Sequence, residues 1–69
     1  MENICIKFGR NVRKYRLLIN CSQEQLAEKA GLHRTYISAV ERGVRSISLE
    51  NIQKIADALE IEVYKLFQF

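Results

Sequence analysis

Two glycines, Gly31 and Gly43, close two short helical patterns in the stretch SQEQLAEKAGLHRTYISAVERG, residues 22–43. That punctuation constrains the fold more than any other feature of the chain. Ser22 reads as an N-cap, and Gln25 stands three residues on, as a capping box requires. Leu26, Ala27 and Ala30 then recur at helical spacing, and Gly31 offers the left-handed residue that ends a helix. Leu32 and Ile37 occupy the N′ and N4 positions of a hydrophobic staple, so a second helix starts near His33 and runs to Gly43. Two short helices separated by a few residues around a glycine form a helix-turn-helix.

The flanking segments are also helical. ICIKFGRNVRKYRLLI places Ile4, Phe8, Val12, Tyr15 and Ile19 in one stripe and turns Lys7, Arg10, Arg13 and Lys14 away from it. Gly9 interrupts this helix at some cost, and Asn20 supplies a left-handed stop. SLENIQKIADAL opens on Ser48 and carries Glu50 in its first turn, where the helix dipole favours an anion. Its apolar face is Leu49, Ile52, Ile55, Ala56 and Leu59. The tail EIEVYKLFQF reads as one more short helix. With no sustained alternation and no hairpin turn, the expectation is an all-α chain whose five helices span one domain, residues 1–69.

Sixty-nine residues bury a marginal core, roughly 60% of the surface of the unfolded chain, and dimerisation would add to it. Eleven Lys and Arg outweigh eight Asp and Glu, for a net charge of +3. The basic residues gather before residue 46 and most acids at Glu41 or later, an asymmetry that suits a polyanionic partner. Cys5 and Cys21 have neither zinc spacing nor His neighbours and read as reduced structural thiols. His33 is the one histidine. It cannot build a metal site alone, and no residue spacing makes a triad with it. No nucleotide-binding loop is present either. The chain is therefore expected to be neither an enzyme nor a holder of a metal, cofactor or small-molecule ligand. With no long apolar run and no signal-peptide pattern, it is expected in the cytoplasm and off the membrane.

At about 100° per residue, Ile37 and Val40 face one side of the third helix. Arg34, Thr35, Ser38, Ala39 and Arg42 cover the opposite arc, with Tyr36 and Glu41 at its borders. Such a surface is either solvated or a reading head. A guanidinium can make two hydrogen bonds to guanine, and a threonine methyl can touch the methyl of thymine. The residues by themselves leave both readings open.

Residues 22–43 resemble the helix-turn-helix of the Xre/Cro family of phage-repressor-like DNA-binding proteins, and the likeness continues through SISLENIQKIADAL. Gln23, Leu26, Ala27, Gly31, Ile37, Val40, Glu41, Gly43 and Leu49 stand at family positions. Within the family, HRTYISAVERG followed by SISL is most similar to the controller proteins of restriction–modification systems. One departure is Asn20-Cys21, which replaces a glycine-containing turn. The resemblance implies that Arg34, Thr35, Ser38 and Ala39 read bases, with Ala39 limited to a methyl contact or close approach. It brings Tyr36 to DNA, the alternative being packing on Leu32, and it gives Gln23 a bond to the DNA backbone. Ser22 joins Gln23 at a helix N-terminus suited to phosphate, beside its capping role. His33 is an imperfect N-cap near the same backbone. Arg42 and Arg45 flank the helix end and suit phosphates, although Arg42 fits equally as a C-cap charge. Arg16 and Glu41 resemble the family's structural ion pair.

In the tail, Ile61, Val63, Tyr64, Leu66, Phe67 and Phe69 occupy more than one stripe, so a single short helix cannot turn them all inward. The surplus reads as a two-fold dimer surface. Together these readings describe a homodimer on a double-stranded DNA operator, an autoregulatory transcriptional controller. Activation, as opposed to repression, would need a surface patch for RNA polymerase as a further partner, for which Glu24 and Glu28 on the second helix are candidates. The alternatives are a phage repressor or antitoxin-type regulator, or a protein-interaction module on the same fold.

Overall fold

The computed structural model describes residues 2–69 and contains four α-helices followed by a 3-10 helix. They are α1 (Ile4–Leu18), α2 (Gln23–Ala30), α3 (Arg34–Glu41) and α4 (Leu49–Leu59), with the 3-10 helix at Val63–Phe67. The class is all-α, but the expected count of five helices over the whole chain needs correcting. The fifth element is a tighter 3-10 turn, and residues 44–48 form an irregular loop.

Local chemistry explains most helix ends. Asn3 caps α1 by accepting from the Cys5 N–H at 2.7 Å. Asn20 follows the helix at φ 53°, so a short polar side chain takes the left-handed position. At α2 the capping box is complete: Ser22 Oγ accepts from the Gln25 N–H at 3.0 Å, and Gln25 Oε1 accepts from the Ser22 N–H at 2.9 Å. Gly31 ends α2 at φ 69°, and Gly43 follows α3 at φ 73°. Ser48 caps α4 through the Asn51 N–H, while Glu60, at φ 59°, closes it without glycine.

One core joins all five elements. Phe8 and Val12, Leu26 and Ala27, Ile37 and Val40, Ile52, Ile55, Ala56 and Leu59, and Leu66 meet there, with Cys21 at the first turn. Both thiols are free. Gly9, an unfavourable residue for a helix interior, lies where α1 crosses the end of α3. A Cβ there would come within 2.7 Å of the Glu41 carbonyl oxygen. The missing side chain is what lets the two backbones approach.

Four apolar assignments change in the folded chain. Leu49 is 81% exposed, because the first residue of α4 precedes the turn at which the helix meets the core. Ile4 and Ile19, at the two ends of the α1 stripe, are exposed as well. Conversely Leu66, assigned to a dimer surface, is completely buried. In a 3-10 helix residues three apart eclipse. Val63 and Leu66 therefore turn inward together while Tyr64 and Phe67 turn outward. Asn11 holds the tail against α1 by donating to the Leu66 and Gln68 carbonyls at 3.0 and 3.2 Å.

Candidate nucleic-acid interface

The orientation of α3 is set by what its inner side bonds to. Ile37 and Val40 are buried against the core. At its C-terminal end Glu41 receives three hydrogen bonds. Arg16 Nε donates to Oε2 at 2.7 Å, and Arg16 Nη2 and Gln23 Nε2 donate to Oε1 at 3.0 and 3.1 Å. Arg16 Nη1 also donates to the Cys21 carbonyl at 2.8 Å. The ion-paired side chains are 10% and 4% exposed, and no buried side-chain nitrogen or oxygen among the described residues lacks a partner. The hydrogen bond from Arg16 to Glu41 outweighs desolvation and raises the Arg16 pKa above the ordinary arginine range. One carboxylate thus ties α1, α2 and the turn between them to α3.

Gln23 enters this cluster without having been expected there. Its expected role lies toward DNA alone, yet one of its amide N–H groups is committed to Glu41. The other remains free to donate, because a primary amide carries two. Glu41 lies eighteen residues away in sequence, so no local pattern could have revealed the pairing.

With its inner side fixed, α3 presents Arg34, Thr35 and Arg42 to solvent, with Ser38 and Ala39 half-buried along the same side. Arg34 and Thr35 form the first turn, after His33, whose side chain makes no capping bond. Among the described residues neither Arg34, Arg42 nor Arg45 pairs with a carboxylate. Arg42 leans back on its own helix, its Nε 3.4 Å from the Ser38 carbonyl. The Arg45 guanidinium lies over the Tyr36 ring, 4.9 Å from its centroid. Tyr36 is half-buried against the core, and its hydroxyl accepts from Asn51 Nδ2 at 3.1 Å. Ser22 is exposed at the start of α2.

The exposed surface of α3, the start of α2 and the loop after α3 carries cationic and hydroxyl-bearing side chains, among them Arg34, Thr35, Arg42, Ser22 and Arg45. It offers guanidinium groups, hydroxyls and helix N-terminal N–H groups, the donors that nucleic-acid phosphates and base edges accept. Among the described residues no group of three His, Cys, Asp or Glu side chains can hold a metal ion, and no helix is long and apolar enough to cross a membrane.

The predicted dimer residues divide. Leu66 is core, and Ile61 and Val63 are half-buried against it. Tyr64, Phe67 and Phe69 remain exposed, with the Phe67 ring tilted against Phe8 at 5.1 Å between centroids and Phe69 edge-on to Phe67. Beside them a groove is lined by Ile4, Cys5, Phe8, Ile47, Ile52 and Phe67 together with Arg45 and Ser46.

Comparison with known proteins agrees with the helix-turn-helix fold. A helix-turn-helix family model matches residues 12–66. Control protein C.BamHI of Bacillus amyloliquefaciens is 52% identical over 69 residues, which covers 99% of this chain and 85% of that protein. The crystal structure of the restriction–modification controller protein C.AhdI from Aeromonas hydrophila superposes with a TM-score of 0.90 at 49% identity, over 91% of this chain and 96% of that one. The biofilm master regulator SinR, solved in complex with DNA, superposes with a TM-score of 0.84 at 31% identity, over 88% and 98% of the two chains.

Proposed function

The chain belongs to the helix-turn-helix family, with restriction–modification controller proteins among its close relatives, and from that premise we propose that it is a sequence-specific DNA-binding transcriptional regulator. One observation carries this reading. The inner side of α3 is pinned by Glu41, while the start of its outer side, Arg34 and Thr35, is exposed and unengaged. Helices of this motif enter the major groove N-terminus first, so Arg34 and Thr35 reach base edges and Ser38 and Ala39 line the wall behind them. Ser22, Gln23, His33, Tyr36, Arg42 and Arg45 border the phosphates on either side. The α2 N-terminus adds unpaired N–H groups and a positive dipole end.

Two subunits related by a two-fold axis would place their α3 helices in successive major grooves about 34 Å apart. Tyr64, Phe67 and Phe69 are the tail residues still available to join them. Occupancy of a promoter in the cytoplasm, the chain's own among them, would block polymerase. Contact with polymerase would use Glu24 and Glu28, both exposed on α2.

The test is fluorescence anisotropy on DNA from upstream of the chain's own gene and on a duplex selected from a random pool, each against scrambled DNA across a salt series. Specific binding at least ~10³-fold above non-specific is expected, weakening with salt as phosphates are engaged. Arg34→Ala should cost about 1–3 kcal/mol and relax preference at one base position. Equal weak binding to all sequences would favour a protein-interaction role for the fold.

A further inference from the structure

Arg45 is exposed, has no carboxylate partner among the described residues, and lies in the loop of residues 44–48, which carries no regular structure. A long cationic side chain in such a place ordinarily samples many rotamers, and ordering it on binding costs affinity. Here it is held. The guanidinium sits 4.9 Å from the Tyr36 ring centroid, within cation–π range. The ring is wedged half-buried against the core, and its hydroxyl accepts from Asn51 Nδ2 at 3.1 Å. The Asn51 backbone N–H is in turn fixed by the Ser48 cap, at 3.2 Å. The chain of contacts thus runs from the start of α4, through the side of α3, to the loop cation.

Resting on the DNA-binding reading above, we infer that Asn51 is a positioning residue for DNA affinity. It locks the Tyr36 ring as a platform that preorganises Arg45 for a backbone phosphate. Asn51 itself touches no DNA in this arrangement and acts through the other two. Its side chain adds no charge, so its contribution is the ordering of Arg45 before the duplex arrives, and the phosphate contact still forms without it.

The experiment uses the full chain and a duplex selected from a random pool by the wild-type protein. Asn51→Ala keeps the Ser48 cap and replaces asparagine with a better helix former. It should weaken binding about three- to tenfold per subunit while leaving the salt slope unchanged. Arg45→Ala should lower both the affinity and the slope, the latter by about one per subunit. Adding Asn51→Ala to Arg45→Ala should then cost nothing further. In the free protein, NMR should show the Arg45 side-chain resonances displaced by the Tyr36 ring current and returning toward free-arginine positions in Asn51→Ala. Thermal melts establish that each variant is folded. An equal loss from Asn51→Ala with or without Arg45, or no loss at all, would overturn the positioning role and leave the DNA reading standing. Failure of the wild-type chain to select any duplex would remove the functional reading and this inference with it.

Discussion

Single residues in this chain carry different kinds of necessity. The Glu41 side chain is 4% exposed beneath two donors from Arg16 and one from Gln23. Removing the carboxylate strands a guanidinium that is largely out of water, which costs far more than an exposed pair would. Glu41→Ala should therefore lower unfolding stability by about 3–5 kcal/mol in urea titrations. The Arg16 pKa is raised above its unfolded value. Its contribution is then complete below the ordinary arginine range and is lost as pH rises from that range through the folded value. Between about pH 6 and 9 the guanidinium should add no pH dependence to stability. Gly9 shows a steric necessity. A methyl group there meets the carbonyls of Val40 and Glu41, which are backbone atoms that cannot rotate away. Gly9→Ala should destabilise by about 1–3 kcal/mol or more, against the usual gain of alanine over glycine within a helix. A melting temperature at or above the wild-type value would mean that α1 and α3 do not pack this closely.

At the scale of elements, the informative case is the 3-10 tail. Read as an α-helix, its apolar residues spill over more than one stripe and offer no way to divide core from surface. The 3-10 period divides them: Leu66 fills the core, while Tyr64, 58% exposed, does not. Leu66→Ala should then cost about 2–5 kcal/mol in denaturant unfolding, whereas Tyr64→Ala should leave the stability of the isolated subunit within about 0.5 kcal/mol. Similar losses for the two would mean that the tail packs in another register. The helix ends tell the opposite story. The Ser22–Gln25 box, the stops at Asn20, Gly31 and Gly43, and the Ser48 cap were all readable from residue type and spacing, because each is completed within a few residues. Glu60 was not, since no glycine marks its left-handed position.

For the whole molecule the question is how so small a core suffices. A chain of this length buries limited apolar surface, and Leu49, Tyr64, Phe67 and Phe69 still leave large side chains exposed. A second copy covering the tail would use this surface, and apparent stability would then rise with protein concentration. Truncation after Val63 is a poor test, because it removes core Leu66 and the two carbonyls that Asn11 binds. Point variants avoid this. Tyr64→Glu with Phe69→Glu should give folded monomers by sedimentation, with binding to a full two-fold operator falling by about 10²-fold or more as linkage between half-sites is lost. An unchanged dimer would move the interface elsewhere, the groove between Ile4 and Ile52 being the first place to look.

The residues alone determined the helical class, the helix-turn-helix and the face on which Arg34 and Thr35 lie, because periodicity, caps and stops act over one or two turns of backbone. Tertiary structure decided the rest. It made Gly9 a crossing point, drew Gln23 to Glu41, linked Asn51 to Tyr36 and Arg45, and exchanged Leu49 for Leu66 between surface and core. Each of these depends on the distance and angle between elements far apart in the chain. Short-range pattern carries no information about such geometry until the core has packed.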